Sequence, residues 1–101
     1  MARARQSDAN HFLYLTRANQ LFLHDYPSTE AALSRSQARW LIAASPTDRV
    51  FMIDYNREML ATLQRLGRPA ELVELSGPLG HLNGVVGMTP AGDRIRAFVA
   101  N

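Results

Sequence analysis

Asp48 and His81 each stand just beyond a short apolar run and a turn. The first run, Trp40-Leu41-Ile42-Ala43-Ala44, leads through Ser45-Pro46-Thr47 to the aspartate. The second, Ala70 to Leu75, leads through Ser76-Gly77-Pro78-Leu79-Gly80 to the histidine. A carboxylate that accepts from one imidazole nitrogen selects the tautomer and leaves the other nitrogen free to act as a base. Those are two of the three parts of a Ser-His-Asp triad. The residue types leave a plainer alternative open. An aspartate in Ser-Pro-Thr-Asp is commonly a turn or cap residue, and a histidine after Gly-Pro-Leu-Gly is commonly a loop residue.

The third part, a nucleophile, is not found. Ser7, Ser28, Ser34, Ser36, Ser45 and Ser76 all lack the Gly-x-Ser-x-Gly surroundings of a nucleophile elbow. There is no cysteine, which removes a thiolate nucleophile and any disulfide framework. His11, His24 and His81 are far apart, with no His-x-x-x-His or Glu-x-x-His spacing, so no metal site is expected. The glycines between Gly77 and Gly87 match neither a dinucleotide fingerprint nor a Walker loop. Gly80 and Gly84 are better read as backbone freedom around His81.

The elements that must position this pair follow from periodicity. Trp40 to Ala44 is apolar without alternation, as in a strand covered on both faces. A helix is predicted from about Ile53 or Asp54 to Leu66, with Met59, Leu60, Leu63 and Leu66 on one face. It stops at Gly67, with Pro69 beyond. Ala70 to Leu75 is a second strand, followed by a loop-like stretch rich in glycine. Thr89 as N-cap and Pro90 at the first helical position open a last helix with Ile95, Phe98 and Val99 inward. Strand, helix, strand and helix imply a parallel pair with a right-handed crossover. In open α/β sheets, sites form at the carboxyl ends of the strands, which brings Asp48 and His81 to one edge.

Upstream, Asp8 caps a helix expected from Ala9 to about Leu23, with Phe12, Leu15, Leu21 and Phe22 along one side. Leu13 and Tyr14 widen that stripe, so apolar neighbours are expected on more than one side. Pro27 breaks the pattern, and Ser28 caps a shorter helix through Glu30 to Leu33. The expected organisation is a helical segment over 1–38 and a strand-helix-strand-helix part over 39–101.

The 101 residues allow one small domain, and 47% hydrophobic with 20% charged residues is a globular balance. All 11 basic residues are arginines, yet the net charge is only +2 and they are scattered apart from Arg3 and Arg5. A nucleic-acid groove needs a cationic stripe on one face, so no nucleic-acid partner is expected. No apolar run approaches a membrane span, and Met1 to Asp8 has no signal-peptide apolar region. A cytoplasmic protein is expected.

Four separated stretches, in order, resemble the homoserine acetyltransferase family of α/β-hydrolases. Asp8-Ala9-Asn10-His11-Phe12-Leu13-Tyr14-Leu15-Thr16-Arg17-Ala18 is similar to that family's Asp-Ala-Asn-x-x-Leu-Tyr-Leu-Thr-x-Ala helix. Trp40 to Phe51 resembles its penultimate strand with the triad aspartate, in the form Ser-x-x-Asp-x-x-Phe. Gly80-His81 resembles the Gly-His of the triad histidine, and Ile95-Arg96-Ala97-Phe98 the terminal helix. The resemblance implies an α/β fold, namely the C-terminal part of an α/β-hydrolase with a helical cap remnant and an incomplete sheet. It implies catalytic roles for Asp48 and His81 in acyl transfer or ester hydrolysis. No cofactor is expected to stay bound, and acetyl-CoA or another acyl donor would be a co-substrate of the full-length family. The elbow serine and oxyanion segment have no counterpart, so this chain alone is expected to be inactive. Small-molecule acyl donors and acceptors would be ligands of the complete enzyme. The macromolecular partner would be the missing N-terminal half or a second copy.

One departure bears on specificity. The acetyltransferases place an aspartate directly after the histidine, where it holds the homoserine amino group. Here that position is Leu82. A related esterase or another acyltransferase fits as well. The alternative of a different class is a non-catalytic interaction module or split-enzyme subunit that pairs through an exposed sheet edge.

Overall fold

The computed structural model describes residues 8–101, and Arg3 and Arg5 lie outside them. Two units are distinguished, one ending at Ala32 and one formed by Leu33–Asn101.

In the first unit, Asp8 Oδ1 accepts from the Asn10 backbone N–H at 2.8 Å and starts helix α1, Ala9–Gln20. The helix ends before the expected Leu23. Leu23 takes a left-handed backbone, φ 58°, which cannot continue a right-handed helix. Phe12, Leu13, Tyr14 and Leu15 are 52–76% exposed, so the apolar covering expected for this helix is not supplied by the described residues. Ser28 Oγ then accepts from the Ala31 N–H and caps α2, Thr29–Ser34, as its sequence predicts.

The second unit is built on strands β1, Trp40–Ala44, and β2, Ala70–Glu74. They pair in parallel, with Trp40 opposite Ala70 and Ala44 opposite Glu74. One more ladder bond, from Leu75 N–H to the Ala44 carbonyl at 2.8 Å, carries the pairing to the edge where both loops leave. Helix α3, Ile53–Arg65, is the crossover and packs on both strands. Its predicted face is the one that turns inward: Leu63 is fully buried, and Met59, Leu60 and Leu66 are half-buried. At its other side Arg57 pairs with Glu74 at 2.9 Å, tying the helix to the end of β2.

Four expectations for this unit are corrected. β1 is not covered on both faces by the described residues: Ala43 is exposed and Leu41, on the same face, only half-buried, because α3 covers the strands from one side and no other described element packs on them as closely. The glycine-rich stretch after β2 is not a plain loop. It forms a 3₁₀ turn, Gly80–Leu82, that runs into a one-turn helix α4, Asn83–Val86. Thr89 does not cap the last helix through its side chain. Thr89–Ala91 form a 3₁₀ turn whose Thr89 carbonyl accepts from Gly92 N–H, and helix α5 is Gly92–Ala100. Within α5, Ile95 and Phe98 face inward, but Val99 is 74% exposed. Measured from Phe98, Ile95 lies about 60° and Val99 about 100° round the helix at about 100° per residue, so Val99 falls beyond the Ile95 edge of the inward stripe. The guanidinium of Arg39 covers the Phe98 ring at 4.8 Å.

Candidate active site

Asp48 is set by its own turn. Its N–H donates to the Ser45 carbonyl at 3.1 Å, closing a four-residue turn with Pro46 in the second position, where the fixed proline φ is favoured. Its carboxylate then works in two directions. Oδ1 accepts from the backbone N–H groups of Val50 at 2.7 Å and Phe51 at 3.0 Å. Oδ2 faces the other way and accepts from His81 Nδ1 at 2.9 Å. The two residues expected to meet at the strand ends therefore do meet.

The ionised carboxylate has no proton to give, so Nδ1 must carry one, and in the neutral ring Nε2 then holds the free lone pair. Among the described residues, no hydrogen bond engages Nε2 or reaches the imidazole from a serine. Phe51 flanks the ring, centroid to centroid at 5.3 Å and tilted by 52°. The Asp48 side chain is 10% exposed and the His81 side chain 48%. Burial of Asp48 works to raise its pKa. The hydrogen bond from His81, those from Phe51 and Val50 and the charge attraction of His81 together outweigh it, so the carboxyl titrates below its ordinary 3.8. A cleft of about 190 Å³ opens over this pair, lined also by Ala43, Ser45, Asn56 and Leu75.

His81 is held differently. Gly80, at φ 57°, turns the chain into the 3₁₀ segment, and a Cβ there would meet the Thr47 carbonyl at 3.1 Å. Gly84, read from sequence as a second source of freedom, is helical, and a methyl group there would meet nothing within 4 Å. Sequence reasoning missed the groups that brace the loop, Ser45, Thr47 and Asn83. Asn83 is 1% exposed and its amide reaches Ser45 Oγ and the Gly77 carbonyl. The only signal was an asparagine two positions past the histidine amid glycines, which reads equally well as a surface turn residue.

Neither Ser45 nor Ser76 is placed as a nucleophile. Ser45 Oγ is 2.9 Å from Asn83 Nδ2 and 3.1 Å from Thr47 Oγ1, while Ser76 is exposed in the loop after β2. Among the described residues no three His, Asp or Glu side chains cluster closely enough to hold a metal ion. None of the described helices is long and apolar enough to cross a membrane.

No family model matches the sequence. Individual proteins do. The chain is 40% identical over 76 residues to a homoserine O-acetyltransferase of Symbiobacterium thermophilum, a match covering 73% of this chain and 20% of that protein. The crystal structure of a homoserine O-acetyltransferase from Bacillus anthracis superposes with a TM-score of 0.74 at 29% identity, over 78% of this chain and 21% of the other. Esterase E22 superposes with a TM-score of 0.86 at 36% identity, over 96% of this chain and 27% of the other. The chain thus spans about a fifth of the length of the curated relatives it matches. It is a homoserine O-acetyltransferase-like sequence of α/β-hydrolase fold, corresponding to the C-terminal segment of those relatives.

Proposed function

We propose that this chain supplies the aspartate and histidine of a serine-dependent acyl-transfer or ester-hydrolysis site, with the nucleophilic serine contributed by a separate segment. The observation that carries the proposal is the 2.9 Å hydrogen bond from His81 Nδ1 to Asp48 Oδ2 at the common edge of two parallel strands. His81 Nε2 takes the serine proton as the serine oxygen bonds to the acyl carbon. It returns that proton to the departing alcohol or thiol. In the second half it deprotonates the acceptor hydroxyl, or water, as that oxygen bonds to the acyl carbon, and it returns the proton to the serine oxygen as the acyl–serine bond breaks. Asp48 orients the ring and stabilises its cation. Acetyl-CoA or another acyl donor is the co-substrate class that the family resemblance implies, and the names of a homoserine O-acetyltransferase and an esterase among the similar proteins are compatible with acyl transfer or ester hydrolysis. The chain alone turns over nothing.

The test is reconstitution. The full chain is co-expressed with the serine-bearing remainder of an esterase E22-like protein, and ester hydrolysis and acetyl-CoA consumption are measured. Activity is expected only in the mixture, and Asp48→Asn or His81→Ala is expected to lower it by about 10⁴-fold. Full activity of the mixture with His81→Ala would refute the assignment.

A second reading is favoured by one observation, the two-stranded parallel sheet with an outer edge on each strand. Such a sheet invites a further strand, so the chain acts as a non-catalytic binding unit, a split-enzyme subunit or a self-associating one. Sedimentation decides between them: a compact monomer that unfolds cooperatively contradicts the need for an added strand.

A further inference from the structure

We propose that Asn83 and Thr47 form a polar clip that positions His81 against Asp48, and that they are positioning residues for the proposed triad. The inference rests on the triad reading given above, but it concerns atoms that the reading does not use.

Each polar side-chain hydrogen of the clip has a partner. The Asn83 amide nitrogen has two hydrogens and two good partners, Ser45 Oγ at 2.9 Å and the Gly77 carbonyl at 3.0 Å. The Thr47 hydroxyl has one hydrogen, donated to the same Gly77 carbonyl at 2.9 Å. Its lone pairs then accept from Gly80 N–H at 3.2 Å and from Ser45 Oγ at 3.1 Å. The longer approach of Asn83 Nδ2 to Thr47 Oγ1, 3.4 Å, is a weak third.

The Thr47 bonds to Gly77 and Gly80 join the loop after β1 to the loop after β2, Asn83 bonds to Ser45 in the first and Gly77 in the second, and the Ser45–Thr47 link lies within the first loop. The Gly80 N–H bond acts on the residue directly before the histidine. Asn83, directly past Leu82, acts from the other side. His81 is thus gripped on both sides in sequence by groups that are also fastened to the turn carrying Asp48.

The packing is equally close. A Cβ on Gly77 would stand 2.8 Å from Asn83 Oδ1, and one on Gly87 would stand 2.9 Å from the Asn83 carbonyl. Asn83 is therefore enclosed by two glycines and 1% exposed, although asparagine is usually a surface residue. A buried amide costs stability unless its donors are paired, and here both N–H groups are spent on the geometry of the site.

The test reads the His81 imidazole itself. In the ¹⁵N-labelled full chain above neutral pH, ring-nitrogen shifts report the ratio of Nδ1–H to Nε2–H tautomers, with exposed His11 as the internal reference. An unrestrained imidazole favours Nε2–H, whereas the Asp48 contact requires Nδ1–H. Asn83→Ala and Thr47→Val are each expected to lower the His81 ratio about fivefold, the factor for roughly one net hydrogen bond. Thr47→Ser keeps the hydroxyl and is expected to keep the ratio. An unchanged ratio in both Asn83→Ala and Thr47→Val overturns the clip. So does equal loss in Thr47→Ser and Thr47→Val, or collapse of the amide spectrum in both Asn83→Ala and Thr47→Val, which would make the cluster merely structural. Asp48→Asn separates this from the triad reading. If it leaves the His81 ratio unchanged, the Asp48–His81 pairing itself fails. If it lowers the ratio and the clip variants do not, only the clip fails.

Discussion

The two loops that leave the sheet at its carboxyl edge solve the same task by opposite means. The Asp48 loop is short and holds itself: a Ser45–Asp48 turn bond, then two backbone N–H groups onto Asp48 Oδ1. The His81 loop is longer, passes through Gly77 at φ 146° and Gly80 at φ 57°, and takes its anchors from Thr47 and Asn83. The aspartate therefore carries its scaffold in neighbouring sequence. The histidine borrows part of its scaffold from the other loop, through Thr47 and through the Ser45 hydroxyl that holds Asn83. Damage to the turn bonds of the first loop should stay local, while damage to the groups that bridge the two loops should spread to the pair.

The largest break in that contrast is expected from the residue that encloses Asn83. Gly77→Ala places a methyl 2.8 Å from Asn83 Oδ1 at a backbone angle that side chains rarely adopt. The amide cannot swing away, because its nitrogen is held by Ser45 and Gly77 in a fully enclosed site. The expected loss is about 1–3 kcal/mol, read as a lower urea midpoint. Gly84→Ala is the matched control. It lies in α4 with open space around it, and a helical alanine is expected to add about 0.5–1 kcal/mol. Equal effects at the two glycines would contradict the account of how the second loop is held.

This contrast also explains what could be read from the chain. Both strands, the crossover helix and its Met59, Leu60, Leu63 and Leu66 face come from local periodicity and were legible. So was the pairing of Asp48 with His81, because it follows from parallel strands and the position of each residue just past its strand. The clip was not legible. Asn83 and Thr47 gain their meaning only when two loops are brought together, and polar residues near glycines signal a turn first. Val99 was misread for a related reason: a helical stripe has a direction, but its edges are set by the neighbours it packs on.

A smaller and pH-dependent effect distinguishes the aspartate from the other carboxylates. The folded Asp48 titrates below the ordinary 3.8, through bonds that unfolding removes. Around and below that value the unfolded chain binds the extra proton, so stability rises with pH there. The contribution is complete above 3.8 and is lost as pH falls through the lowered folded value. The denaturation midpoint of the wild-type chain should therefore fall more steeply below pH 3.8 than that of Asp48→Asn. Parallel curves would mean that the carboxylate is not held by His81, Val50 and Phe51 in solution.

Pro46→Ala should produce the smallest effect and sharpens the contrast furthest. Pro46 presets one backbone angle in the Ser45–Asp48 turn and restricts the unfolded chain. Its removal should cost about 0.4–1 kcal/mol, mostly through unfolded-state entropy. The bonds that aim the carboxylate come from Val50 and Phe51, beyond the proline. The His81 tautomer ratio should then stay at its wild-type value while the midpoint falls slightly. A variant that lowers stability without moving the histidine, beside Thr47→Val that moves it, would place the control of His81 in the clip rather than in the turn. If Pro46→Ala shifts the tautomer as far as Thr47→Val does, the two loops are held as one unit and the division between them fails.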